Sequence, residues 1–233
     1  MLRGMFSGFP PEGLKFMRGL AKNNDREWFQ PRKETFESKV KAPMAELVEA
    51  INSELMRFAP EYVNDPKKAM YRIYRDTRFS GDKTPYKTHI AAIFPKRGLE
   101  KHISGSFYFH VATKSVGVGA GVYMPGPEQL LAIRTWLTDH HDEFRKATKV
   151  AAKLWGPMLD NATARSPKGF DPNHAAADLV SQKAWLFWQE IDIELATTPK
   201  LLPELCKRFR AAAPVLQMLN APLRNPKPAG FVE

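Results

Sequence analysis

Between Met70 and Met124 the apolar residues stop recurring at every third or fourth position and begin to alternate, and this switch restricts the chain more than any other feature. Four stretches carry it: MYRIYR (Met70 to Arg75), HIAAIF (His89 to Phe94), SFYFHVA (Ser106 to Ala112) and GVGAGVYM (Gly117 to Met124). They predict four strands in an antiparallel meander. WLFWQEI (Trp185 to Ile191) reads either as a fifth strand or as a buried helical turn.

On both sides of this middle the period is helical. Pro10 and Pro11 open a helix through Leu14, Met17 and Leu20, and Asn24 or Asp25 caps the next segment. Val40, Met44, Leu47, Val48, Ile51 and Leu55 then share one face, with a kink or restart expected at Pro43. After the meander, Leu130, Ile133, Leu137 and Phe144 mark another helix. Thr197 or Thr198 caps a helix through Leu205 and Phe209, and Pro214 is expected to restart it. The sum is an α+β fold, a single antiparallel sheet of four to five strands with helices packed around it. Residues 1–223 are read as one domain and 224–233 as an extended tail.

A hairpin centred between Lys114 and Ser115 pairs Val111 with Val118, Phe109 with Ala120 and Phe107 with Val122, giving a dry face. The other face carries Tyr108 and His110 against Gly117, Gly119 and Gly121. Three alternate glycines weaken a strand unless something lies close against them: a helix, folded-over rings or a flat ligand. His110 is the histidine best placed to move a proton, with Tyr108 beside it.

YRIYRDTRFSGDKTPYKTHI (Tyr71 to Ile90) gathers Arg72, Arg75, Arg78, Lys83 and Lys87 with only two carboxylates, Asp76 and Asp82. Guanidinium and ammonium groups around one turn can hold phosphate or carboxylate, with Tyr86 entering the return strand. The competing reading is an ion-paired, purely structural hairpin. Asp76 joins His110 and Tyr108 as a candidate catalytic group, and Arg165 and Lys168 in the loop RSPKGFDPN could complete an anion site from the other side.

This stretch, with NNDREWF (Asn23 to Phe29), YFH (Tyr108 to His110) and APVLQMLNAPL (Ala213 to Leu223), resembles the domain-of-unknown-function family DUF2461 over nearly the whole chain. Arg72, Arg75, Asp76, Arg78, Phe79, Lys83, Tyr86 and Lys87 match its motif. The resemblance implies one compact domain of about this length and supplies no activity.

Other motifs carry less. GVGAG lies within a strand and not at a strand-to-helix turn, which excludes a dinucleotide loop. DHHD (Asp139 to Asp142) is read as a solvated helix end, because neighbours on a helix diverge by about 100°. His89, His102, His110 and His174 lack metal-ligand spacing, so neither metal nor cofactor is expected. Cys206, the sole cysteine, falls on an apolar helical stripe, and Trp28 and Phe29 are expected to staple the first helices to the core.

The chain has 35 Lys and Arg against 25 Asp and Glu, a formal charge of +10, which attracts anions at long range. A small anionic ligand, bound or turned over, is therefore the first expectation. Nucleic acid, with Tyr71, Tyr74 and Tyr86 for stacking, is the second, and a protein partner on an exposed patch at Trp185 and Trp188 the third. The lone cysteine and the lack of a leader or membrane-length apolar run point to a soluble, cytoplasmic protein without membrane association.

Overall fold

The computed structural model describes residues 6–223, so the expected tail at 224–233 lies outside the described residues. Pro11 occupies the first position of helix α1 (Pro11–Lys22), where its missing N–H would have had no helical partner. Asp25 then caps the short turn Arg26–Phe29 by accepting from the Trp28 backbone N–H at 2.7 Å. The irregularity expected at Pro43 falls just upstream, as a single π-helical turn over Glu37–Lys41. Pro43 itself sits harmlessly in the first turn of α2 (Ala42–Phe58).

The sheet comprises β1 (Ile90–Pro95), β2 (Ser106–Val111), β3 (Ser115–Val122) and β4 (Trp185–Asp192), antiparallel and in the order β1-β2-β3-β4. One alternative is decided and one expectation changes. Trp185 to Ile191 is a full strand. Met70 to Arg75 is not: it touches the sheet through one bridge, Met70 to Ala92, and one bond from the Tyr71 N–H to the Ala91 carbonyl. The chain then turns away to pair with 85–87, where the Arg75 N–H reaches the Pro85 carbonyl and the Lys87 N–H the Ile73 carbonyl. Pro85 has no N–H to offer in return, so this ladder stays short.

The β2–β3 register also differs from expectation, by two residues: Val111 pairs with Val116, Phe109 with Val118 and Phe107 with Ala120. The turn is tighter than supposed, closed by the Ala112 N–H on the Ser115 carbonyl. A slip of two preserves the faces, because side chains alternate with period two.

One sheet face, with Phe94, Phe107, Phe109, Val118 and Phe187, is buried under α3 (Pro127–Trp155) and α4 (Leu201–Asn220). Phe209 of α4 stacks 4.8 Å from Phe107, and Trp155 of α3 lies 5.8 Å from Phe187. Contrary to expectation, α4 runs unbroken through Pro214, which is held by the buried Val215, Leu216 and Leu219. DHHD marks a kink at which two helical stretches of α3 meet: His140 leaves helical geometry, stacks on Trp136 and bonds that residue's carbonyl at 2.8 Å, while Asp139 and Asp142 are exposed. Cys206 is buried, and its thiol is pushed up to about 12 by that burial. Among the described residues no helix is long and apolar enough to cross a membrane.

Candidate ligand-binding cavity on the open sheet face

Strand alternation leaves a second face that the long helices do not cover. Its rows, read across the strands, are Ala91, His110, Gly117 and Glu190, then Ile93, Tyr108, Gly119 and Trp188, then Pro95, Ser106, Gly121 and Leu186. The glycines are roofed by neighbouring rings. A Cβ on Gly117 would stand 2.4 Å from the His110 ring, and one on Gly119 would stand 3.2 Å from the Trp188 indole. The rings of Tyr108 and His110 lie 6.1 and 5.7 Å from Trp188, so the glycine strip gives an aromatic floor its depth.

Segments around the sheet raise walls on this floor and enclose a cavity of about 610 Å³. Tyr71, Lys87 and His89 come from the segment that precedes β1, His102 and Ser104 from the β1–β2 connection, and Tyr123, Met124 and Leu159 form the rim. Tyr123 and Met124 are each 62% exposed, so the mouth itself is apolar. His102 is the only described non-glycine residue with a positive φ (79°), held by its carbonyl accepting the Met124 N–H at 3.1 Å. Such local strain persists where surrounding contacts fix the chain.

Two tyrosine–histidine pairs line the walls: Tyr71 Oη lies 3.3 Å from His102 Nδ1, and Tyr108 Oη lies 3.2 Å from His110 Nδ1. The Tyr71 and Tyr108 rings are 6.3 Å apart, and His89 lies 5.0 Å from His110, giving a continuous arc of rings. At one end, Lys87 Nζ and Lys101 Nζ approach the Tyr71 ring to 4.8 and 5.2 Å, with Arg72 nearby. Among the described residues no Asp or Glu lines the cavity.

Burial without acids sets the protonation. It lowers Lys87, and Arg72 and Lys101 push in the same direction. It lowers His110 against an opposing pull from Glu190, and it lowers His102 with help from Lys101. His89 falls to about 4, through burial first and then the positive charge available at His110 and Lys87. Burial raises Tyr71 to about 12 and raises Tyr108 as well. Near neutrality the wall therefore presents uncharged imidazoles and phenols, with cationic charge confined to the Lys87 end.

A pH test follows from His89. Its folded value lies below the ordinary 6.5, so the unfolded chain binds the extra proton first, and stability is lost as pH falls from 6.5 towards about 4. Urea midpoints across that window should fall less steeply for His89→Gln than for the wild type. Equal slopes would show that His89 is not held neutral by its surroundings. Asp76 and Asp82, both lowered to about 2, act only below that window.

The structure sorts the sequence-derived candidates into four groups. Tyr108, His110 and Lys87 line the cavity, and Arg72 stands exposed beside Lys87. The turn pairs with itself instead: Arg75 with Asp82 and Thr84, Arg78 bidentate with Asp76 at 2.8 and 3.0 Å, and Lys83 with the Thr77 carbonyl at 2.9 Å. Asp76 is therefore a partner of Arg78 outside the cavity, and the five cations do not converge. Tyr86 is core, stacked on Phe29 at 4.1 Å, with both its backbone groups bonded to the Asn24 side chain. Arg165 and Lys168 are exposed in their loop and do not line the cavity.

Trp185 is buried and Trp188 belongs to the cavity floor, so the two indoles do not form an exposed patch. Of the three tyrosines considered for stacking on bases, only Tyr74 lies substantially open, at 44%. Sequence reasoning missed Tyr71 and Trp188 as cavity residues and Lys101 as the second ammonium on the Tyr71 ring, and weighed His89 and His102 only as metal ligands. The alternation within WLFWQEI already separates Trp188 and Leu186 from Trp185 and Phe187.

A family model described as a conserved hypothetical protein (DUF2461) matches residues 12–218. No curated protein and no solved structure matches the chain.

Proposed function

The chain belongs to this DUF2461 family, whose description carries no activity, and from the cavity we propose that it binds a small ligand with a flat apolar body and one anionic group. The observation that carries this reading is the polarity of the cavity: Lys87 in the lining at one end, with Lys101 on the same Tyr71 ring and Arg72 beside Lys87, an aromatic floor of Tyr108 and Trp188, an apolar rim, and no lining carboxylate. The body stacks on the floor while Lys87, Lys101 and the His102–Tyr71 pair take the anion. A cavity of about 610 Å³ suits a ligand of this class. We place the activity in the cytoplasm, in keeping with a single buried cysteine.

The test uses 3-phenylpropionate, followed through the Trp188 indole resonance. Lys87→Met is expected to weaken binding about tenfold, close to 1.4 kcal/mol, and Trp188→Ala by a similar factor. Arg75→Ala and Arg78→Ala should leave binding unchanged, since both side chains are occupied by Asp82 and Asp76. The reverse pattern, with the turn variants losing affinity and Lys87→Met retaining it, would move the site to the cationic turn and end this proposal.

A further inference from the structure

Lys87 is placed in an unusual way for a residue that serves only as a positive charge. It enters a cavity without acids, lies 4.8 Å from the centre of the Tyr71 ring, and shares that ring with a second ammonium, Lys101, at 5.2 Å. One cation would suffice to hold one carboxylate. We propose that the two divide the work: Lys101 and His102 hold the anion, and Lys87 adds as a nucleophile to a carbonyl at the same end of the ligand, forming an imine. The ligand class is then an aryl-bearing 2-oxo acid. This inference rests on the anion-site reading above.

The chemistry balances with groups in the cavity. The Lys87 Nζ lone pair adds to the carbonyl carbon, and the carbonyl π electrons move to oxygen, which takes a proton from a wall phenol or imidazole. Nitrogen gives up one proton to the same wall, the hydroxyl is protonated and leaves as water as the C=N bond forms, and the resulting iminium returns its remaining proton to the wall. Amine and ketone become imine and water, with no oxidant or reductant involved. Two proton carriers are at hand, Tyr71–His102 at 3.3 Å and Tyr108–His110 at 3.2 Å, and neither is tied up by a carboxylate in the lining. The nucleophile must be unprotonated, and burial beside Arg72 and Lys101 favours the neutral amine.

The experiment incubates the full chain with phenylpyruvate and sodium cyanoborohydride, then measures intact mass and maps the modified peptide. A single reduced adduct on Lys87 is expected, about tenfold less in Lys87→Arg, which keeps the charge and loses the nucleophile. Excess 3-phenylpropionate, which has no ketone, should block it. Two outcomes separate the levels of inference. If both acids shift the Trp188 resonance but no adduct forms, or the adduct persists in Lys87→Arg or spreads over surface lysines, Lys87 is a charge only and the imine is overturned while the binding reading stands. If neither acid shifts that resonance, both fall together.

Discussion

Asn220→Ala is expected to lower stability by about 3 kcal/mol, because three buried polar groups lose their partner at once. The Asn220 side chain accepts from the Gly105 N–H at 2.7 Å and donates to the Gly105 carbonyl and to Tyr62 Oη, both at 2.9 Å, and the residue is 2% exposed. The bonds join the end of α4 to the residue just before β2, far apart in sequence. No water can replace the amide without entering the core, so each orphaned group bears a desolvation penalty. Denaturant unfolding should show a lower midpoint at unchanged slope. A loss below about 1 kcal/mol would mean that the pocket relaxes around the gap.

Gly121→Ala should have a comparable effect by a different route. Gly121 has φ of 149°, and a Cβ there would stand 2.0 Å from the Trp185 carbonyl oxygen and 2.7 Å from the Leu186 Cα. Backbone cannot rotate out of the way, so the β3–β4 pairing must open at that end, at about 3 kcal/mol. Hydrogen exchange at the β4 amides nearest Leu186 should accelerate accordingly. Gly117→Ala supplies the contrast. There the obstacle is the His110 ring, which can swing aside, so stability should change by only about 1 kcal/mol. The swing breaks the contact with Tyr108 Oη, and 3-phenylpropionate binding should suffer more than folding does. If Gly121→Ala folds with normal exchange, the close approach of β4 to the glycine strip is wrong.

How much of this was legible in the sequence depended on whether the deciding contact was local. Alternation in SFYFHVA and GVGAGVYM assigned Phe107, Phe109 and Val118 to the dry face and Tyr108 and His110 to the other, even though the register slipped, because the faces depend only on parity. Residues 70–75 alternate equally well, yet form no strand, since their partner segment contains Pro85 and the chain leaves β1 after Tyr71. Composition exposed the crowd of cations but not its resolution. Arg78 folds onto Asp76 two residues away and Arg75 onto Asp82, choices of rotamer and turn that no periodicity encodes. The cluster around Tyr71 at the cavity's end needs Lys101 and His102, about thirty residues further on, and only the β1–β2 connection brings them together. Trp188 was ambiguous for a related reason. An aromatic-rich run reads as strand or helix until it is known that a side chain-free strip on β3 is waiting for an indole.

Because the long helices cover one side of the sheet and loops wall the other, successive residues of a strand answer to different demands. Phe107, Phe109 and Phe187 keep the molecule folded while their immediate neighbours Tyr108 and Trp188 meet whatever enters. A library of variants restricted to the outward positions and the Tyr123, Met124 and Leu159 rim could therefore sample new specificities without disturbing the packed half, which makes this sheet a natural chassis for engineered receptors.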